Sequence, residues 1–219
     1  MKIAILNMMG IVGKTTIAAH LLAPRMNNAP VFAIETLNEA ADGLVGIEVE
    51  RIAGNKFQKL IEKLILLDDA IIDVGASNVE GFLDGMIKHE DARLEFDCFI
   101  IPLTDGAKEQ KETMSMVTVL SEFGIPADKI KLVFNKVKAD VTEEFGLIMN
   151  YVKQHKNCIA NPKAVIFENE LFNMLSKKKM TIPEALADPT DYKAEARKLE
   201  KEIGEDGKDK NAKKKKRLH

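Results

Sequence analysis

Cysteine is scarce in this chain. Cys98 and Cys158 are the only two among 219 residues, and they sit in apolar surroundings with no C-x-x-C spacing and no neighbouring histidine cluster. A disulfide scaffold and a cysteine-built metal or iron–sulfur centre are thereby excluded, which leaves two core residues of a reduced compartment. No apolar run approaches the length needed to cross a bilayer, and the chain starts at once with a strand-like run rather than a signal peptide. The expected location is the cytoplasm. A strong excess of either charge is missing too, since the formal net charge is −2. That total does not mark a nucleic-acid binder, but its distribution is uneven. Asp206 to His219 carries seven Lys or Arg against two Asp, a surplus of five, so the remainder is −7: a mildly acidic body with a basic tail.

The length suits one α/β domain with a well-buried core and is short for two. Strand-like runs rich in Ile, Val, Phe and Leu recur at Ile3–Asn7, Val31–Glu35, Ala70–Val74, Phe96–Pro102, Lys131–Asn135 and Ala164–Phe167. Continuous apolar strands are those buried on both faces. Between them lie helical stripes, such as Phe57, Leu60, Ile61, Leu64, Ile65 and Met114, Val117, Leu120. The alternation predicts a doubly wound, mainly parallel sheet flanked by helices, with a ligand at the carboxyl ends of the strands. Residues 1–203 are read as a single domain, ending in a terminal helix over Tyr192–Ile203. Residues 204–219 are read as a basic tail that is disordered or loosely helical.

Residues Asn7 to Thr16 read N-M-M-G-I-V-G-K-T-T, between the first strand-like run and the apolar stretch Ile17–Leu22. A strand, a glycine-bearing turn ending in Gly-Lys-Thr and a helix form a phosphate-binding device. The N–H groups of Gly10, Val12 and Gly13 can line a concave nest, Lys14 can reach the outer phosphates, and Thr15 can ligate a bridging magnesium ion. The ordinary G-x-x-x-x-G-K-[ST] pattern fails, because its first glycine would fall on Met8. Downstream, the run Ala70–Val74 ends in D-V-G-A-S. Asp73 is at the buried strand end where a carboxylate can orient magnesium, and Gly75 lets backbone approach a terminal phosphate. Asp73 can also be read as a cap for a helix starting near Asn78.

These segments resemble the ParA/MinD class of deviant P-loop ATPases, whose loop is written N-x-K-G-G-V-G-K-T-T. Asn7, Gly10, Val12, Gly13, Lys14, Thr15 and Thr16 match it, Ile11 stands at its second glycine and Met9 at its signature lysine. Within that class the H-L-L-A-P-R (His20–Arg25), E-T-L-N (Glu35–Asn38), D-V-G-A-S-N-V-E (Asp73–Glu80) and V-F-N-K-V segments are similar to the StbB group, plasmid stability proteins of conjugative plasmids. The likeness runs from Met1 to about Tyr192. It implies ATP or ADP with Mg2+ as cofactors, a magnesium role for Asp73, a switch role for Gly75, and an adenine contact for Asn135, whose amide offers a donor and an acceptor together. A guanine site would be expected to read N-K-x-D, and position 138 is Lys138.

The class keeps a water-positioning carboxylate where Leu37 stands here. Leucine offers no acceptor, so the role would pass to Asn38 or Glu39, and hydrolysis is expected to be slow. The implied function is a nucleotide-driven switch in plasmid stability, partition or conjugative transfer. Its implied partners are a second copy of the chain and a plasmid-encoded DNA-binding protein. The tail could add non-specific DNA contact or be only a solvated charge run. Two alternatives share the fold: an ATP-dependent ligase of the dethiobiotin synthetase type, for which Met8 and Met9 supply no polar substrate contacts, and a MinD-like membrane organiser. The terminal segment lacks the bulky apolar face that membrane insertion needs, so no membrane partner is expected.

Overall fold

The computed structural model describes residues 1–27, 29–35, 49–53, 56–178, 180–194 and 197. Seven strands form one sheet: β1 (Lys2–Ile5), β2 (Val31–Glu35), β3 (Val49–Ala53), β4 (Ala70–Val74), β5 (Cys98–Leu103), β6 (Ile130–Val137) and β7 (Val165–Phe167). Their order is β3-β2-β4-β1-β5-β6-β7, and every pairing is parallel. The expected doubly wound α/β architecture is therefore present. β1 lies between β4 and β5, so the loop leaving its carboxyl end opens at the point where the winding reverses direction, the usual ligand crevice of such sheets.

Strand alternation explains why the runs read as continuously apolar. Along β1, Ile3 and Ile5 belong to one core layer while Ala4, and Leu6 just beyond the strand, belong to the other; Ile71 and Ile72 divide in the same way in β4, as do Ile100 and Ile101 in β5. Both faces are dry, because helices cover each. One layer is closed by α2 (Phe57–Leu64), α3 (Val79–Lys88), α4 (Ala107–Glu122) and α6 (Gly146–His155), through Leu60, Phe82, Val117 and Ile148. The other is closed by the helix after the first loop, through Ile17, Ala18 and Ala19. That helix starts as α1 (Lys14–Thr16), continues as a π-helical stretch over Ile17–Leu22 and ends in a 3-10 turn over Ala23–Arg25. Short helices α5 (Val141–Glu144), α7 (Leu171–Lys178) and α8 (Ile182–Ala187) and 3-10 turns at Ala76–Asn78, Glu90–Glu95 and Ala127–Lys129 complete the described elements. Among the described residues, no helix is long and apolar enough to cross a membrane.

Two expectations need correction. β3 is absent from the predicted strands, because Glu50 and Arg51 interrupt its pattern and only Ile52 is fully buried at this sheet edge. Ile65, expected on the apolar stripe of α2, is 60% exposed. Ile65 keeps helical backbone angles with its N–H on Ile61 O, so it continues the row of half-buried Ile61 at the exposed margin of the stripe. Cys98 and Cys158 are buried free thiols, and burial pushes the Cys158 thiol up to about 11.

The chain divides into two compact units, Met1–Pro183 and Glu184–His219. In the second, Asp191 Oδ1 accepts the N–H groups of Lys193 and Ala194, an Asx turn that starts a helical segment. The basic tail from Gly204, the boundary drawn before it and most of the expected helix Tyr192–Ile203 lie outside the described residues.

Packing between α2 and α3 gives a stability prediction. A Cβ added to Gly85 would stand 2.2 Å from the Phe57 ring and 2.5 Å from Phe57 Cβ. Phe57 cannot retreat easily, since its ring packs edge-on against Phe82 at 5.3 Å. Alanine is favoured over glycine in a helix by about 1 kcal/mol, but overpacking costs roughly 1–3 kcal/mol. Gly85→Ala is expected to lower the urea midpoint despite its better helix propensity.

Candidate phosphate-binding site

A cleft of about 1050 Å³ opens at the carboxyl ends of the strands, comparable with the volumes of small-molecule sites. Its floor is the loop after β1 with the start of α1, one wall is the Gly75–Ser77 turn after β4, and the far wall combines the end of β6 with the segment from Phe167 into α7. Gly10, Ile11, Gly13, Lys14, Thr15 and Thr16 all line it, and so do Gly75 and Asn135. Val12 is fully buried beneath the loop instead of lining the cleft. Asp73 is 3% exposed and joins the site through Thr15. Asn38, Leu37 and Glu39 lie outside the described residues.

Gly13 is where the loop needs glycine. Its φ is +91°, a region costly to other residues, and a Cβ there would meet Asn135 Nδ2 at 2.2 Å. Gly10 has nothing within 4 Å of such a Cβ, and neither Gly10 nor Ile11 has a positive φ. The isoleucine at the class's second glycine is thus sterically free, with its side chain 79% exposed on the rim.

Lys14 is 5% exposed, and its Nζ donates to Met9 O at 2.7 Å and Asn7 O at 3.1 Å. Burial lowers its pKa, and the nearby Asp73 opposes that shift. Asp73 Oδ2 accepts the Thr15 hydroxyl at 2.7 Å, while Oδ1 is buried with no hydrogen-bond partner. Burial raises the Asp73 pKa, against the Thr15 bond and Lys14. A buried carboxylate with an orphaned oxygen beside a threonine hydroxyl fits a hard, oxygen-seeking cation. Among the described residues no cluster of three or more His, Cys, Asp or Glu could hold a metal, so a magnesium ion here would draw on few protein ligands and complete its shell with phosphate oxygens and water. The helix-cap alternative for Asp73 finds no support, since the N-cap of α3 is Asn78 and the Asp73 carboxylate faces Thr15.

Across the cleft, Asn135 Nδ2 donates to Val12 O at 2.9 Å and Oδ1 accepts the Lys136 N–H at 2.9 Å. The carboxamide therefore pins the loop to β6, with one amide hydrogen and one lone pair left over. Lys136 follows at φ +57°, in a bulge between Asn135 and Val137, and lines the cleft. Lys138 turns away and donates to Asp105 Oδ2 at 2.9 Å. Gly75 packs its N–H on Ile34 O at 2.9 Å, and a Cβ there would approach the same oxygen to 3.1 Å. It marks a close crossing of two strand ends.

Sequence reasoning missed Lys136, Phe172, Asn173 and Ser176, all of which line the cleft. The readable signal was the spacing Asn169, Asn173, Ser176, a polar i, i+4, i+7 stripe along the approach to α7 and the helix itself.

The sequence matches no protein-family model and no curated protein. Solved structures do match. A Borrelia burgdorferi B31 protein described as a plasmid partition protein, bound to AMPPNP, is 17% identical with a TM-score of 0.54, over 94% of this chain and 98% of that one. MinD from Aquifex aeolicus, a cell division protein, is 16% identical with a TM-score of 0.56, over 82% and 86%. The septum site-determining protein MinD of Pyrococcus horikoshii OT3, complexed with Mg-ADP, is 15% identical with a TM-score of 0.53, over 82% and 86%. The chain has the fold of ParA/MinD-type P-loop NTPases. At these identities the likeness concerns the fold, and the assignment of chemistry rests on the cleft.

Proposed function

We propose that this chain is an ATP- and magnesium-binding switch protein of the ParA/MinD kind, with slow hydrolysis, acting in plasmid stability, partition or conjugative transfer as the StbB group does. The observation that carries the reading is the Thr15–Asp73 hydrogen bond, with the second Asp73 oxygen buried and unpartnered beside Lys14. Such an arrangement is poised for a cation and a polyanion together. In this reading Gly10, Gly13, Lys14, Thr15 and Thr16 hold the phosphates and Thr15 and Asp73 the magnesium. Gly75 senses the terminal phosphate, and Asn38 takes the water-orienting role that Leu37 cannot fill. The matched partition and MinD structures hold AMPPNP and Mg-ADP, which agrees with nucleotide as the ligand.

Slow turnover follows from the missing cation. In the class that this loop resembles, the signature lysine reaches a partner's phosphates; Met9 at that position is neutral and cannot stabilise the charge that develops there. ATP would order the cleft walls and create a surface for a second copy, for a plasmid-encoded DNA-binding partner, or for DNA reached through the basic tail. The test is size by light scattering and retention on DNA with no nucleotide, ADP, ATP and a slowly hydrolysed analogue. The proposal requires at least one of these to change between ADP and ATP; identical behaviour in all four states would refute the switch.

Base preference gives a second test. The free amide hydrogen and lone pair of Asn135 suit the adenine edge, and no carboxylate stands at position 138 to hold guanine. ATP should displace a fluorescent ADP analogue at least about tenfold better than GTP, the scale of one or two hydrogen bonds. Equal displacement would remove Asn135 from base reading.

A further inference from the structure

Neither Asn7 nor Thr113 lines the cleft, yet both are fully buried polar side chains directly behind its floor. Asn7 follows β1 and engages both amide hydrogens and its side-chain oxygen. Nδ2 donates to Pro102 O in β5 at 2.9 Å and to Thr113 Oγ1 in α4 at 2.9 Å, while Oδ1 accepts the Met9 N–H at 2.9 Å. Its backbone carbonyl accepts Lys14 Nζ at 3.1 Å. The amide orientation is fixed by this set, because a flipped amide would turn an NH2 towards the Met9 N–H and a carbonyl oxygen towards Pro102 O. One side chain thus ties the first turn of the loop to the neighbouring strand and to the core of α4.

We propose that Asn7, held by Thr113, is a positioning residue for the phosphate-binding loop. It sets the path of Met8–Gly10 and the height of the two carbonyls between which Lys14 rests. The inference rests on the nucleotide reading of the cleft and adds to it a link that runs from α4, through Thr113 and Asn7, to Lys14. Thr113 does not line the cleft, and its hydroxyl is hydrogen-bonded to the loop through Asn7, so the hydroxyl should influence affinity by that route. Removing the hydroxyl leaves a buried amide hydrogen unpaired, which the loop can relieve only by shifting.

The experiment is the affinity of the full chain for ADP with magnesium, read by a fluorescent analogue below the nucleotide-free unfolding midpoint of each variant. The set is the parent, Thr113→Val, Thr113→Ser, Asn7→Ala and the Asn7→Ala/Thr113→Val pair. Thr113→Val keeps the side-chain volume and lies outside the cleft, so it can be read even if Asn7→Ala does not fold. It should weaken ADP on the order of tenfold, the scale of one unsatisfied buried group. Thr113→Ser, which keeps the hydroxyl, should bind like the parent. In the Asn7→Ala background Thr113→Val should have no further effect, because the path is already cut. A parent that binds ADP while Thr113→Val binds equally well would overturn the inference and leave the nucleotide reading standing. A loss in Thr113→Ser as large as that in Thr113→Val would overturn it too, because the hydroxyl would then not be what matters. A parent that binds no nucleotide would remove the nucleotide reading itself.

Discussion

Lys14→Ala is expected to abolish measurable binding of ATP at micromolar protein. Lys14 is the one buried cation on the floor of the cleft among the described residues, and its Nζ rests on two loop carbonyls, with no acidic side chain bonded to it. Moving that amine a short way onto phosphate exchanges two neutral acceptors for charged ones, which are the stronger partners in a dry site. Removing one member of a buried charge pair costs about 3–5 kcal/mol, roughly a few hundredfold to a few thousandfold in affinity. Competition against a fluorescent ADP analogue reads the loss. An affinity within threefold of the parent, by order of magnitude under 1 kcal/mol, would show that the amine never meets phosphate.

Gly13→Ala should be nearly as damaging, for a different reason. The backbone there has φ +91°, and the new methyl would overlap Asn135 Nδ2 at 2.2 Å. The variant must strain the left-handed residue, about 1–3 kcal/mol, and also push Asn135 off Val12 O, leaving buried polar groups unpaired at about 1–3 kcal/mol more. Both effects deform the turn that would hold the phosphates, so affinity should fall by roughly a hundredfold, and the nucleotide-free protein should melt lower. Gly10→Ala is the matched control. It has open space around the added methyl and no positive φ, and is expected to bind ATP like the parent. If Gly10→Ala and Gly13→Ala behave alike, the loop adopts a different path when nucleotide is bound.

The parts of this site that are legible in the sequence are those whose signal is local. β4 reads as a strand because all five residues are buried, and the same burial places Asp73 at a dry strand end. The loop from Asn7 to Thr16 is legible because a single turn carries glycine, lysine and threonine in order. Contacts between distant segments are not legible. Asn135 and Val12 are 123 positions apart, and only the neighbouring ends of β6 and the loop bring them to 2.9 Å. The sequence could name Asn135 as a candidate for the base but not as the residue that makes Gly13 obligatory. β3 escaped because an edge strand needs only one buried side chain, and Glu50 and Arg51 are free to be charged. Thr113 escaped because a threonine inside a helix normally bonds its own preceding turn, and nothing nearby in sequence announces that it faces Asn7 instead.

We propose that the cleft binds ATP through a magnesium ion held by Thr15 and Asp73. Isothermal titration calorimetry of the full chain with ATP, run once with magnesium and once with chelator, tests it most directly. A saturable heat with one site per chain is expected in magnesium. In chelator the affinity should be weaker by at least about tenfold, the scale of one lost charge-assisted contact. No saturable heat in magnesium, or the same affinity with the metal removed, would contradict it.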